Sequence, residues 1–189
     1  MYSSDVPGGK VWICLFTCLA VRAVHLELAT SLSAQQFLRI LRRFISRRGT
    51  PQEMLCNKAL QFKVANIMLQ QLFAAVYTDS SVQSYVAQKG ICWRFIPAEA
   101  PWMGGVYERM VGIVKQALRK SLGKADLQTD QLSTLLTEIE AVVNTRPLLY
   151  VTSDEVARTL SPADFLHSHV SLALPPPLTD PALAEDPDY

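Results

Sequence analysis

The stretch KVWICLFTC is apolar in both of its alternating sets: Val11, Ile13 and Leu15 in one, Trp12, Cys14 and Phe16 in the other. A strand with one solvated face shows a polar residue at every second position, so this one reads as a central strand covered on both sides. The turn signal DVPGGK precedes it. The next run, RAVHLEL, alternates, with Val24, Leu26 and Leu28 on one side and His25 and Glu27 between them. Two antiparallel strands joined by a short connection are the simplest arrangement.

Helical patterns follow. SAQQFLRILRRFISRRG has Ser33 as N-cap, a stripe of Phe37, Leu38, Leu41, Phe44 and Ile45, and Gly49 with Pro51 to end it. QEMLC reads as a short strand, FKVANIMLQQLFAAVY and SSVQSYVAQKG as helices, the second with a serine cap and a closing Gly90. ICWRFIP is a strand stopped by Pro97, and PAEAPWMGG is a loop. The periodicity then predicts a helix from Val106 to about Leu122, its stripe at Val106, Met110, Ile113, Val114, Ala117 and Leu118. Another spans Thr129 to Asn144, with Leu132, Leu135, Leu136, Ile139, Val142 and Val143 inward and Pro147 closing it. This order gives an α/β sandwich with a mixed sheet flanked by helices. Residues 1–174 form the domain, and the proline-rich acidic run from Pro175, residues 175–189, is expected to be a disordered tail.

Several function classes drop out. The chain has no GxGxxG and no P-loop, so no nucleotide or other small-molecule cofactor is expected. Its four cysteines form no CxxC pair and its three histidines lack zinc-finger spacing, which favours free buried thiols in a reducing, intracellular compartment. VWICLFTCLAV is about half a membrane span and runs straight into Arg22, so no membrane partner is expected. A net charge of +1 selects no partner, leaving local charge to carry any electrostatic argument.

Two patterns carry such an argument. Glu108, Gly112, Lys115 and Arg119 share one face of the Val106 helix, opposite its core stripe. An acid at the helix start and bases further along suit a metal site flanked by a phosphate track, and the helix dipole favours the same order with no function at all. Arg39, Arg42, Arg43, Arg47 and Arg48 crowd a second helix without an acid, either a track for a phosphate backbone or a solvated face. His25 and Glu27, two apart on a strand, read as a hydrogen-bonded pair at the sheet margin rather than as an acid–base couple. Tyr107 and Trp102 flank the glycines, where they either stack on a base or simply pack.

The runs LFTCLAVRAVHLEL, FLRILRRFISRRGTP, WRFIPAEAPWMGGVYERMVGIVKQALRKSLG, LLTEIEAVVNTRPL and LSPADFL, in that order, resemble the integrase core of BEL/Pao-type retrotransposons across roughly residues 10–167. The resemblance implies an RNase H-like fold and metal-dependent strand transfer on DNA. In that family two aspartates and a glutamate hold two divalent metals, Mg or Mn, which activate a water or DNA 3′-hydroxyl. Carried over, Glu108 falls on the glutamate and Lys115 on a basic position that meets the DNA end, while Gly112 replaces another base. CNKALQF stands where relatives have a motif like SDNGTNF, which puts Asn57 at the second aspartate and Lys58 and Ala59 in the turn. The first aspartate belongs to a strand before KVWICLF. Asp5, the acid available there, falls in the DVPGG turn, so that first strand is expected to be missing.

With Glu108 the one surviving carboxylate, metal binding is incomplete and the chain is expected to be catalytically inactive. DNA is the implied partner, through Lys115, Arg119, Arg39, Arg42 and Arg43, with a homodimer by family analogy and the nucleus as the place of a working protein. The second reading is a non-catalytic nucleic-acid or protein interaction module that uses the same basic faces.

Overall fold

The computed structural model describes residues 2–6, 9–57, 75–76, 78–96, 105–122, 127–152 and 157–166. Strands β1 (Tyr2–Val6), β2 (Gly9–Thr17) and β3 (Val24–Ala29) make an antiparallel sheet with β2 in the middle. The strand ahead of β2, expected to be missing, is therefore present. Asp5 stands on it opposite Lys10, one pair short of the turn rather than inside it. Five residues are enough to pair once the chain has reversed before β2.

The β2–β3 connection is closed by Cys18 N–H donating to Ala23 O at 2.8 Å and Arg22 N–H donating to Cys18 O at 3.0 Å. Arg22 pays for this tight reversal with a left-handed backbone, φ +58°.

Helix α1 (Ala34–Arg48) starts where Ser33 accepts the Gln36 N–H and ends at Gly49, whose φ of +85° suits glycine. Phe37, Leu41 and Ile45 are buried as their spacing predicts, and Ile40 joins them. Strands β4 (Glu53–Asn57) and β5 (Cys92–Ile96) are parallel, which demands a crossover. Helix α2 (Ser80–Gln88) lies in that crossover. Its cap is not a serine. Asp79 Oδ1 accepts the N–H groups of Ser81 and Val82 at 2.9 and 3.1 Å, because the helix begins at Ser80 and so puts the aspartate, an equally good capping residue, at the cap position. Gly90, at φ +65°, follows the helix as expected.

Helices α3 (Gly105–Leu122) and α4 (Thr129–Asn144) complete the helical set among the described residues. A hairpin of β6 (Leu149–Thr152) and β7 (Ala157–Leu160) and a 3-10 turn, Pro162–Phe165, follow. That turn begins at Ser161, whose N–H and hydroxyl both donate to Asp164 Oδ2. The helix expected over FKVANIMLQQLFAAVY lies outside the described residues except for Ala75 and Val76, which are helical. The PAEAPWMGG loop up to Gly104 and the tail lie outside them too.

Two cores sit on opposite faces of β2, as its doubly apolar pattern requires. Ile13, Val24 and Leu26 pack with Met110, Val114 and Leu118 of α3 and Leu136, Ile139 and Val143 of α4. On the other face, Phe16 packs against a cluster of Phe37, Leu41 and Ile45 of α1 with Val82 and Val86 of α2. Each such side chain contributes about 1.5–3 kcal/mol by leaving water. The outcome is a mixed α/β fold. The single mixed sheet expected from sequence is replaced, among the described residues, by an antiparallel triple, a parallel pair and a hairpin.

Two further expectations fail. Val142, assigned to the α4 stripe, is 67% exposed because the helix turns that side away from the sheet. All four cysteines are free, yet Cys18 and Cys92 are exposed rather than buried. Among the described residues no helix is long and apolar enough to cross a membrane.

Candidate functional site

Glu108 lies in the first turn of α3 and is exposed. Met110, Val114 and Leu118 bury the opposite side of the helix, so Glu108, Gly112 and Arg119 face solvent, with Lys115 half-buried on the same face. The shared face predicted from spacing is thus present. Tyr107, next to Glu108, has its hydroxyl pKa raised, first by burial and then by the Glu108 charge. Trp102 lies outside the described residues. Asn57 is the last residue of β4, opposite Ile96 of β5, and only its backbone is described.

The arginine helix divides into two groups. Arg39 and Arg42 are exposed. Arg43 Nε donates to Glu27 Oε2 at 2.6 Å, Arg47 Nη1 donates to Glu27 Oε1 at 3.3 Å, and Arg48 pairs with Glu140 of α4. The absence of an acid within the helix concealed these partners, which come from β3 and α4. Arg43 thus has a structural task, although its side chain keeps 45% of its exposure.

His25 and Glu27 are hydrogen-bonded as expected, Nε2 to Oε1 at 3.1 Å. They stand on an edge strand, but α1 and α4 cover it, leaving His25 2% and Glu27 6% exposed. Glu140 and Asn144, four apart on α4, do the covering. Leu26 N–H donates to Glu140 Oε2 at 2.6 Å. Asn144 Oδ1 accepts the Val24 N–H and its Nδ2 donates to Val24 O, both at 2.8 Å. Helix side chains here take the place of a further strand. Arg146, just past the helix, donates to Arg22 O at 2.5 Å and holds the left-handed turn.

Burial acts on both glutamates by raising their pKa values, and it is the largest single effect. Around Glu27, hydrogen bonds from His25 and Arg43 outweigh it. Around Glu140, His25, the Leu26 N–H and Arg48 do so, and both carboxyls end below the usual range. Burial alone lowers the His25 pKa, and the two carboxylates reverse it to a net rise.

This arrangement of two helical layers around a small sheet has counterparts among solved structures. One is a chain of the simian T-cell lymphotropic virus intasome in complex with PP2A regulatory subunit B56 gamma, at 16% identity and TM-score 0.63, covering 93% of this chain and 54% of that one. The HTLV-2 integrase catalytic core domain in complex with magnesium matches in its dimeric form at 14% identity and TM-score 0.60, covering 88% of this chain and 91% of that one. Its trimeric form matches at 15% and 0.56, covering 78% and 83%. The fold is similar to that of retroviral integrase catalytic cores. The chain spans about half the length of the intasome chain and nearly all of the dimeric core domain. No family model and no curated protein matches the chain.

Within this integrase-core fold, Glu108 opens a helix that packs on the sheet, and Asn57 ends a strand of the parallel pair. Among the described residues no group of three His, Cys, Asp or Glu side chains could hold a metal ion. Sequence reasoning missed Glu140, Asn144 and Arg146. The available signal was a polar pair four apart beside the α4 apolar stripe, in a stretch otherwise spaced for burial.

Proposed function

We propose that this chain is a retroelement integrase core of BEL/Pao type with an RNase H-like fold, that it binds DNA, and that it does not catalyse strand transfer. The observation that carries the reading is an integrase-core fold with Glu108 in the first turn of α3 and basic residues along the same face. The donor set argues for inactivity. Asn57 stands at the position of an aspartate, and Asp5 sits at a hairpin end opposite a lysine. A single carboxylate does not neutralise two divalent ions or clamp a phosphoryl group between them. A homodimer and a nuclear location belong to the same reading.

DNA engagement then rests on exposed bases. Arg39 and Arg42 on α1 and Arg119 on α3 are exposed, and Lys115, half-buried, lies one turn before Arg119 on α3. Each phosphate neutralised contributes a salt-dependent increment. The test assays the purified chain with magnesium and with manganese for 3′ processing, joining and disintegration, alongside DNA binding across a salt series. We expect no turnover. Binding should weaken with salt, survive Glu108→Gln and fall in Arg39→Glu/Arg42→Glu. Robust turnover abolished by Glu108→Gln would overturn the inactive reading, and no binding at low salt would overturn the DNA reading. Arg43 is left out of the charge-reversal set because its loss would also disturb Glu27.

A further inference from the structure

The buried charges around His25 have a geometry that a neutral imidazole does not satisfy. His25 Nε2 lies 3.1 Å from Glu27 Oε1, and its Nδ1 lies 3.3 Å from Glu140 Oε2, off the line of a directed hydrogen bond. A neutral ring carries one N–H. In either tautomer its other nitrogen would leave a lone pair within 3.3 Å of a carboxylate in a buried site, aimed at Glu27 from Nε2 or lying beside Glu140 from Nδ1. Protonated, the ring donates from Nε2 to Glu27 and sets a positive Nδ1–H within ion-pair distance of Glu140, without a directed hydrogen bond to it.

Every element around the ring bears on this balance. From β3 comes Glu27, from α4 Glu140, and from α1 Arg43 and Arg47 on Glu27 and Arg48 on Glu140. From β2 comes Cys14, opposite Glu27, whose thiol burial pushes up to about 12, so it stays neutral. Phe16 and Phe44, stacked at 4.3 Å, tilt against the ring and keep water out. The two glutamates carry two negative charges; of the three arginines, Arg43 and Arg47 keep nearly half of their exposure and only Arg48 is largely withdrawn from water. The same Glu140 oxygen that faces His25 also accepts the Leu26 N–H, so one carboxylate serves both the ring and the strand edge.

We propose that His25 is a pH-gated tie: as an imidazolium it fastens α4 and α1 together across β3, and its deprotonation loosens the hold of α4 on the sheet edge. The sign follows from the shifts. A raised His25 pKa means stabilisation that is complete below the free value of about 6.5 and is lost as pH rises through the folded value. The depressed glutamates stay ionised across that interval and do not compete.

The test follows the His25 ring by NMR titration of the whole chain and measures urea midpoints against pH for wild type and His25→Gln. Glutamine keeps a donor and carries no proton to lose. His25 should titrate above about 6.5, and the midpoint gap between the proteins should be widest in mild acid and close as His25 deprotonates. A gap independent of pH, or a ring titrating at or below the free value, would overturn the proposal. Should His25→Gln fail to fold, the ring titration of the wild-type chain still decides it.

Discussion

At the scale of single residues, Asn144 is the clearest case of a side chain replacing backbone. Its amide exchanges two hydrogen bonds with Val24, as a neighbouring strand would. Asn144→Ala strands a buried N–H and a buried C=O, and should lower unfolding free energy by about 2–4 kcal/mol in urea titration. Asn144→Asp should be worse than alanine, since it turns a carboxylate oxygen toward the Val24 carbonyl. An aspartate variant more stable than the alanine one would rule out this account. His25 and Glu27 were readable as a pair from their spacing, but their burial was not. Burial depends on Glu140, which lies more than a hundred positions away: its spacing with Asn144 marks it as a candidate for burial but does not name β3 as its partner.

At the scale of elements, α3 combines a sound core stripe with a weak spot. Gly112 is exposed in the helix interior, and a methyl group there would meet nothing within 4 Å. Gly112→Ala should stabilise the protein by about 1 kcal/mol, measured as a raised urea midpoint, because the unfolded chain loses freedom while the helix gains none. No change would mean that the helix gains nothing from alanine at this position. Most elements were legible because they are governed by short-range periodicity: the doubly apolar β2, the α1 stripe, and Met110, Val114 and Leu118 on α3 all lie where their spacing puts them. The failures occurred where a neighbour decides. Val142 and Val143 are chemically identical and adjacent, and only the seat of α4 on β3 makes one exposed and the other buried. Asp79 takes the cap in place of a serine because the helix begins at Ser80 itself. The candidate site was legible to the same extent: the spacing set Glu108 and Arg119 on one face, while the partners of Arg43, Arg47 and Arg48 were hidden on other elements.

At the scale of the whole molecule, the charge network is what joins β3, α1 and α4. Its acid limit follows from Glu27 and Glu140. Their depressed pKa values contribute stability fully present above the unfolded value of about 4.5, lost as pH falls through the folded values. Acid titration followed by circular dichroism should therefore show cooperative loss of structure only below about pH 4.5. A loss beginning well above that value would mean that these carboxylates do not carry the acid limb. The covered edge of β3 also has a consequence in time. Val24 and its Asn144 partner lie 120 positions apart. A ribosome adding roughly 5–20 residues per second leaves that edge bare for on the order of ten seconds after β3 emerges. During synthesis the nascent chain therefore carries an open strand that helix α4 has yet to reach, and a holding chaperone or a slower partner chain would find it there first.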